Sequence, residues 1–271
     1  MPAPFRWLAA IAAMLAATPA AAGAPDAPST PDKPDRLVMV GIGPRLAPSY
    51  PGSTKAKLGP FPVINVWRED EPFPVETPDE GKSIKLAGSR DKAAAGLTLA
   101  IAPRRGREAA TQGLRKVGFG IEAGVFGEAY VQPQLRLRGE LRRAIGGHAA
   151  LSGDLALDYV LRATANERAL VTIGPRARFG SAKYNRRFFG IDAAEAAASS
   201  LPQYRAKQGL RALGVVAGAN YPLGERWGLF GSVGYDRLIN AAAESPLTRQ
   251  RGSRNQLSAG LALTYVFRVE R

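Results

Sequence analysis

Gln256-Leu257-Ser258-Ala259-Gly260-Leu261-Ala262-Leu263-Thr264-Tyr265-Val266-Phe267-Arg268 alternates in character almost to the end of the 271-residue chain. On a strand, Leu257, Ala259, Leu261, Leu263, Tyr265 and Phe267 share one face, opposite Ser258, Gly260, Ala262, Thr264 and Arg268. A strand crossing lipid needs roughly 9–11 residues and must present apolar side chains outward. The stretch therefore reads as the closing strand of an all-β fold, a transmembrane antiparallel up-and-down β-barrel.

Working back from that strand, alternation marks further candidates at 36–43, 58–67, 71–76, 82–88, 94–102, 116–130, 134–146, 148–162, 167–180, 208–221 and 226–240. With 254–268 these make about 12 strands. Pro72 and Pro74 interrupt one of them, and ten strands result if 71–88 is a loop. Either even number puts both ends in the periplasm. The short turns at 131–133, 163–167 and 222–225 then fall on the periplasmic side, and the long segments 44–57, 103–115, 181–207 and 241–253 fall outside. Asp192 to Ser199 is a capped run of helix formers, so the 181–207 loop is expected to carry a short helix closed by Pro202.

Residues 1–22 have one charge, Arg6, an apolar core from Trp7 to Ala17 and small residues at 20–22, the pattern of a signal peptide. Residues 23–35, with prolines at 25, 28, 31 and 34, read as a periplasmic leader, leaving 36–271 as the barrel. Cysteine is absent, so stability is expected from sheet pairing and packing.

The middle strands separate charge from apolar surface. Arg136, Arg138, Glu140 and Arg142 oppose Leu135, Leu137 and Leu141, while Asp154 and Asp158 oppose Leu151, Leu155 and Tyr159. Glu122 and Glu128 oppose Ile121 and Val125, and Arg176 and Arg178 oppose Val171 and Ile173. A soluble sandwich would bury the apolar face, whereas a membrane barrel exposes it to lipid. The long strands and the aromatics near their ends, Tyr159, Phe179, Tyr221, Trp227, Tyr235, Tyr265 and Phe267, favour the barrel. The interleaved signs favour a lumen zipped by ion pairs over an open pore, whose charges are more often segregated.

The formal net charge is +14, and removing Arg6 leaves +13. Arg104, Arg105 and Arg107, Arg186 and Arg187, and Arg251 and Arg254 lie in segments assigned outside, where guanidinium groups either suit the phosphates of lipopolysaccharide or are simply solvated in arginine-rich loops. Nucleic acid is excluded as a partner by export. His148 is the sole histidine, expected in a solvated turn, and Ser152 lies four residues on, roughly 13 Å along a strand at about 3.3 Å per residue. No catalytic triad can be assembled at that distance. With one histidine, no cysteine and no phosphate loop, no metal or cofactor is expected.

The pieces Tyr184-Asn185-Arg186-Arg187-Phe188-Phe189-Gly190-Ile191, Ser200-Leu201-Pro202-Gln203-Tyr204, Trp227 to Tyr235, and Ser245-Pro246-Leu247 through Phe267 together resemble the MipA/OmpV family. So does Pro48-Ser49-Tyr50-Pro51-Gly52-Ser53 near the amino terminus, although an acidic residue more often precedes that glycine in the family. The resemblance implies an outer-membrane barrel of the Gram-negative envelope without an active site. It also implies a scaffold role joining a murein transglycosylase to a penicillin-binding protein, with a permeability-related, porin-like channel as the alternative. Gly260, Leu263, Tyr265 and Phe267 then have the spacing of an insertion signal read by the barrel-assembly machinery. On that reading the four residues after Phe267 are dispensable for assembly.

Overall fold

The computed structural model describes residues 35–89, 91–163 and 166–270, apart from the side chain of Glu167. The expected signal peptide 1–22 and all of the expected leader but Asp35 lie outside the described residues. The strands are β1 (Arg36–Ile42), β2 (Pro44–Pro48), β3 (Ala56–Pro60), β4 (Val63–Arg68), β5 (Lys82–Ser89), β6 (Ala93–Ile101) and β7 (Gly120–Gln132). They continue with β8 (Leu135–Gly146), β9 (Leu151–Ala163), β10 (Asn166–Gly180), β11 (Gly209–Pro222), β12 (Trp227–Leu238) and β13 (Asn255–Val269). From β5 to β13 each strand pairs antiparallel with the next, and β13 pairs on its other side with both β1 and β2.

β1 and β2 are two halves of one passage up the wall, and β3 and β4 are two halves of the passage back down. The break between β1 and β2 is Gly43, where a Cβ would lie 1.8 Å from the Leu261 carbonyl oxygen. The break between β3 and β4 is Phe61-Pro62, and proline brings no N–H to a ladder. Among the described residues, thirteen strands less these two joins give eleven wall passages. The expected strand 58–67 is thus split, and 44–57 is not wholly a loop.

The twelfth passage runs inside. β4 ends level with Arg36 at the short-turn end, whereas β5 starts at Lys82 opposite Leu99, well up the wall. Residues 69–81 cover that height without forming a strand, and Phe73, Val75 and Thr77 are buried. The expectation of a wall strand at 71–76 is therefore corrected. Pro72, Pro74 and Pro78 remove alternate donors, so the segment cannot join a ladder and climbs through the lumen instead. Among the described residues no ladder joins β5 to β3 or β4.

The faces are unambiguous. Leu137, Leu141, Leu155, Leu161, Val171 and Ile173 are about half exposed, while their neighbours Arg136, Arg138, Arg142, Asp158 and Arg176 are buried. A soluble sandwich would show the reverse. Trp227 and Tyr265 meet edge to face at 4.9 Å on the outer surface near the short turns, in the position of an interface girdle.

The long-loop end carries a folded cap. Helix α1 (Ala182–Phe189) is capped by the Ser181 hydroxyl, which accepts from the Tyr184 N–H. Helix α2 (Ala193–Ser199) starts with Asp192 and Glu195 capping each other's backbone N–H groups. It ends at Ser200, whose φ of 59° is left-handed, before Pro202 is reached. Sequence reading expected this helix but missed α1, α3 (Asn240–Glu244), and the short turns of helix at 109–111 and 247–251. Tyr184, Phe188, Phe189, Val117, Leu238 and Ala242 form one apolar core of the cap. Tyr50, Leu114, Ile191, Leu201 and Leu247 form another.

β13 continues past Phe267. Arg268 pairs with Leu37 and Val269 with Arg36, and the Arg268 guanidinium meets Glu69. Two of the residues in 268–271, expected to be dispensable for assembly, therefore belong to the β1–β13 ladder. Deleting 268–271 is expected to lower the fraction of refolded protein that runs as the compact, heat-modifiable band in electrophoresis. An unchanged fraction would mean that the last ladder pairs do not matter to closure.

Candidate functional site

The site is the lumen, and strand alternation builds it: every second residue of β7–β10 points inward, so charge on those positions is carried into the bore. Arg136 and Asp158 stand directly opposite across β8 and β9, as do Glu128 and Arg138 across β7 and β8, and Asp154 and Arg178 across β9 and β10. Glu140 faces Asp154, a repulsive register, and the Arg142 guanidinium sits between and bonds to both. Arg142 also reaches Glu122 at 3.2 Å.

The remaining arginines share carboxylates. Arg136 lies 2.8 Å from Asp158 and 3.3 Å from Glu128, and Arg138 lies 2.8 Å from Glu128 and 2.6 Å from Glu140. The Arg138 guanidinium also stands 4.1 Å over the Phe126 ring. Arg176 meets Asp158 at 2.7 Å, and Arg178 meets Asp154 at 3.4 Å. Arg136 and Asp158 are 1 % and 0 % exposed, so water cannot stand in for either partner.

Three further carboxylates complete the network, and sequence reading missed them. Asp236 on β12 lies 2.9 Å from Arg178. Asp79 and Glu80 come from the luminal segment: Asp79 lies 2.9 Å from Arg176 and 3.0 Å from Arg178. Glu80 bonds Arg136 and lies 3.5 Å from Arg138. The Val75 carbonyl accepts from Arg136 at 2.8 Å, and the Gly81 N–H donates to Glu140 at 3.4 Å. Asp236 was legible by parity, since it shares the inward face with Gly234. Asp79 and Glu80 were not, because alternation says nothing about a segment that is not a strand.

The opposite wall is apolar. Met39, Phe61, Val63, Trp67, Phe230 and Val266 face the lumen, and Phe73 of the segment packs edge-on against Trp67 at 5.0 Å. Burying an aromatic ring of that size is worth about 2 kcal/mol. The segment is thus held by an apolar anchor on one side and two carboxylates on the other. Beside it, the cavity lined by Pro72 to Val75, Glu128, Tyr130 and Arg162 holds about 20 Å³, room for roughly one water.

His148 is not in solvent. It is fully buried under α1, with Nε2 3.0 Å from Glu122 Oε1 and its ring edge-on to Tyr184 at 4.8 Å. Ser152 Oγ donates to the same Glu122 oxygen at 3.0 Å. The carboxylate therefore lies between histidine and serine, whereas an activated hydroxyl needs the histidine in the middle.

Among the outer basic residues, Arg104, Arg107, Arg186 and Arg254 are exposed and Arg187 is half-buried. Arg251 is half-buried as well, whereas the burial of Arg105 corrects its placement as a phosphate contact. Arg105 is 1 % exposed and donates to the Phe188 carbonyl at 2.9 Å and the Arg115 carbonyl at 2.8 Å. Burial holds its pKa below the ordinary guanidinium value. Arg251 donates to the Ser199 carbonyl at the end of α2. In β13, Leu263 and Phe267 face outward, whereas Gly260 lies on the inner face against Phe61, where a Cβ would come within 2.7 Å of the ring.

A family model described as MltA-interacting protein MipA matches residues 40–267. No curated protein sequence matches the chain. Among solved structures it is similar to the outer membrane protein OprG from Pseudomonas aeruginosa, at 13 % identity over 87 % of this chain and 97 % of that one, with a TM-score of 0.31. It is also similar to the COG4313 outer membrane channel from Pseudomonas putida F1, at 11 % identity over 90 % of this chain and 100 % of that one, with a TM-score of 0.43.

Removing one side of a buried pair strands the other charge, at a cost of about 3–5 kcal/mol. Asp158→Asn, which leaves Arg136 and Arg176 short of a shared partner, is expected to destabilise the barrel on that scale in urea unfolding from lipid vesicles. Glu69→Gln, whose partner Arg268 is half-exposed, is expected to cost less than about 1 kcal/mol in the same assay.

Proposed function

Because the chain belongs to the MltA-interacting protein MipA family, we propose that this outer-membrane barrel works as a scaffold for murein-synthesising and murein-degrading enzymes, not as a solute conduit. The observation that carries the reading is the filled bore. Segment 69–81 occupies the lumen between an arginine-rich wall and an apolar one, and the helical cap packs over the mouth. On this reading the barrel is not an enzyme, and it presents its short-turn end to a periplasmic transglycosylase and a penicillin-binding protein. Arg104, Arg107, Arg186, Arg187 and Arg254 would meet lipopolysaccharide phosphates at the outer rim.

A channel is the second reading. It is favoured by one feature: segment 69–81 makes no ladder with the wall and is held there largely by its side chains.

Single-channel recording of the refolded protein in planar bilayers separates the two. The scaffold reading expects no conductance steps, and regular steps from the unaltered protein would reject it. Pull-down from envelope extracts is expected to recover a lytic transglycosylase and a murein synthase, and their clean absence would remove the proposed role while leaving the barrel in place.

A further inference from the structure

Asp79 and Glu80 sit among the guanidinium groups of Arg136, Arg138, Arg176 and Arg178 as a bound dianion would. Arg176 approaches Asp79 through both Nε, at 2.9 Å, and Nη2, at 3.5 Å, a side-on geometry suited to a carboxylate or phosphate edge. Arg178 adds a contact to Asp79 at 3.0 Å, Arg136 bonds Glu80, and Arg138 lies 3.5 Å from it. All four arginines are anchored on β8 and β10, whose ladders do not involve the segment. The segment brings the two carboxylates without a ladder of its own, and its three prolines bar it from making one. Two adjacent like charges gain nothing from each other, so their position depends on the arginines.

We propose that Arg136, Arg138, Arg176 and Arg178 form an anion-binding site whose present occupant is the chain's own Asp79–Glu80 pair, and that segment 69–81 is a displaceable internal ligand. The external ligand it fits is a small compound with two anionic groups, a diphosphate or a dicarboxylate. The neighbouring cavity has room for only about one water, so such a compound enters by taking the place of the segment. Entry is from the short-turn end, since the segment begins there and the cap lies over the other mouth. This inference does not depend on the scaffold role.

Trp67 reports the displacement, because Phe73 of the segment packs on its ring. With Trp7→Phe and Trp227→Phe, Trp67 is the sole tryptophan of the chain. Refolded barrel of this background is titrated with pyrophosphate and with succinate, with and without Asp79→Asn/Glu80→Gln, and folding is verified by the heat-modifiable band. The neutralised variant is expected to show a saturable change in Trp67 emission at anion concentrations at least about tenfold below the parent's, a factor worth one decade in Kd. Saturation by either anion supports the site, and the tighter one names its class. Adding Arg176→Gln is expected to abolish the response. The proposal is overturned if the neutralised variant binds no tighter than the parent, or if the response survives Arg176→Gln. It is equally overturned if the double variant and both single acid variants all fail to fold, since an internal ligand can be removed and a core element cannot.

Discussion

A guanidinium taken out of water must meet a carboxylate, and the rest of this structure follows from that requirement. Lipid demands that the outer face of every wall strand be apolar, so the alternate face carries whatever charge the strands contain. In β8 and β10 that charge is mostly arginine. The adjacent strands β7 and β9 bring Glu122, Glu128, Asp154 and Asp158, and β12 brings Asp236, yet Arg176 still has only the shared Asp158 among them. Asp79 and Glu80 complete the set from a segment that lies inside the wall.

That segment also explains the uneven lumen. The β1–β4 side is lined by Met39, Phe61, Val63 and Trp67, and the β7–β10 side by ion pairs. Neither surface would fit the other directly. Residues 69–81 present Phe73 to the apolar side and Asp79 and Glu80 to the charged side, which lets two incompatible walls share one bore. At the outer end, buried aromatics of α1 cover His148 and Glu122, so the network ends beneath a packed cap.

Much of this was legible in the sequence, because barrel strands write their environment with a period of two. β7 to β13 are recognisable from alternation alone, and parity of position already sets Arg136 and Asp158 on one face and Leu137 and Tyr159 on the other. The expected strand at 71–76 was the main error, and the prolines that cast doubt on it are the physical cause of the inward route. Asp79, Glu80 and the burial of Arg105 and His148 could not be read, because each depends on contacts between segments far apart in the chain: Arg105 with Phe188, His148 with Glu122 and Tyr184. Local periodicity has no bearing on such pairings.

If residues 69–81 fill the lumen, Thr77 is shielded from aqueous reagents. The chain has no cysteine, so Thr77→Cys introduces a single thiol at a position that is 4 % exposed. Its reaction with a charged, membrane-impermeant maleimide, followed in refolded barrel within lipid vesicles open to reagent on both sides, reports whether the segment is inside. The expected result is a thiol that stays unreacted until the protein is unfolded. Labelling of the folded barrel at the rate of a free thiol would place the segment in solvent and leave the lumen open.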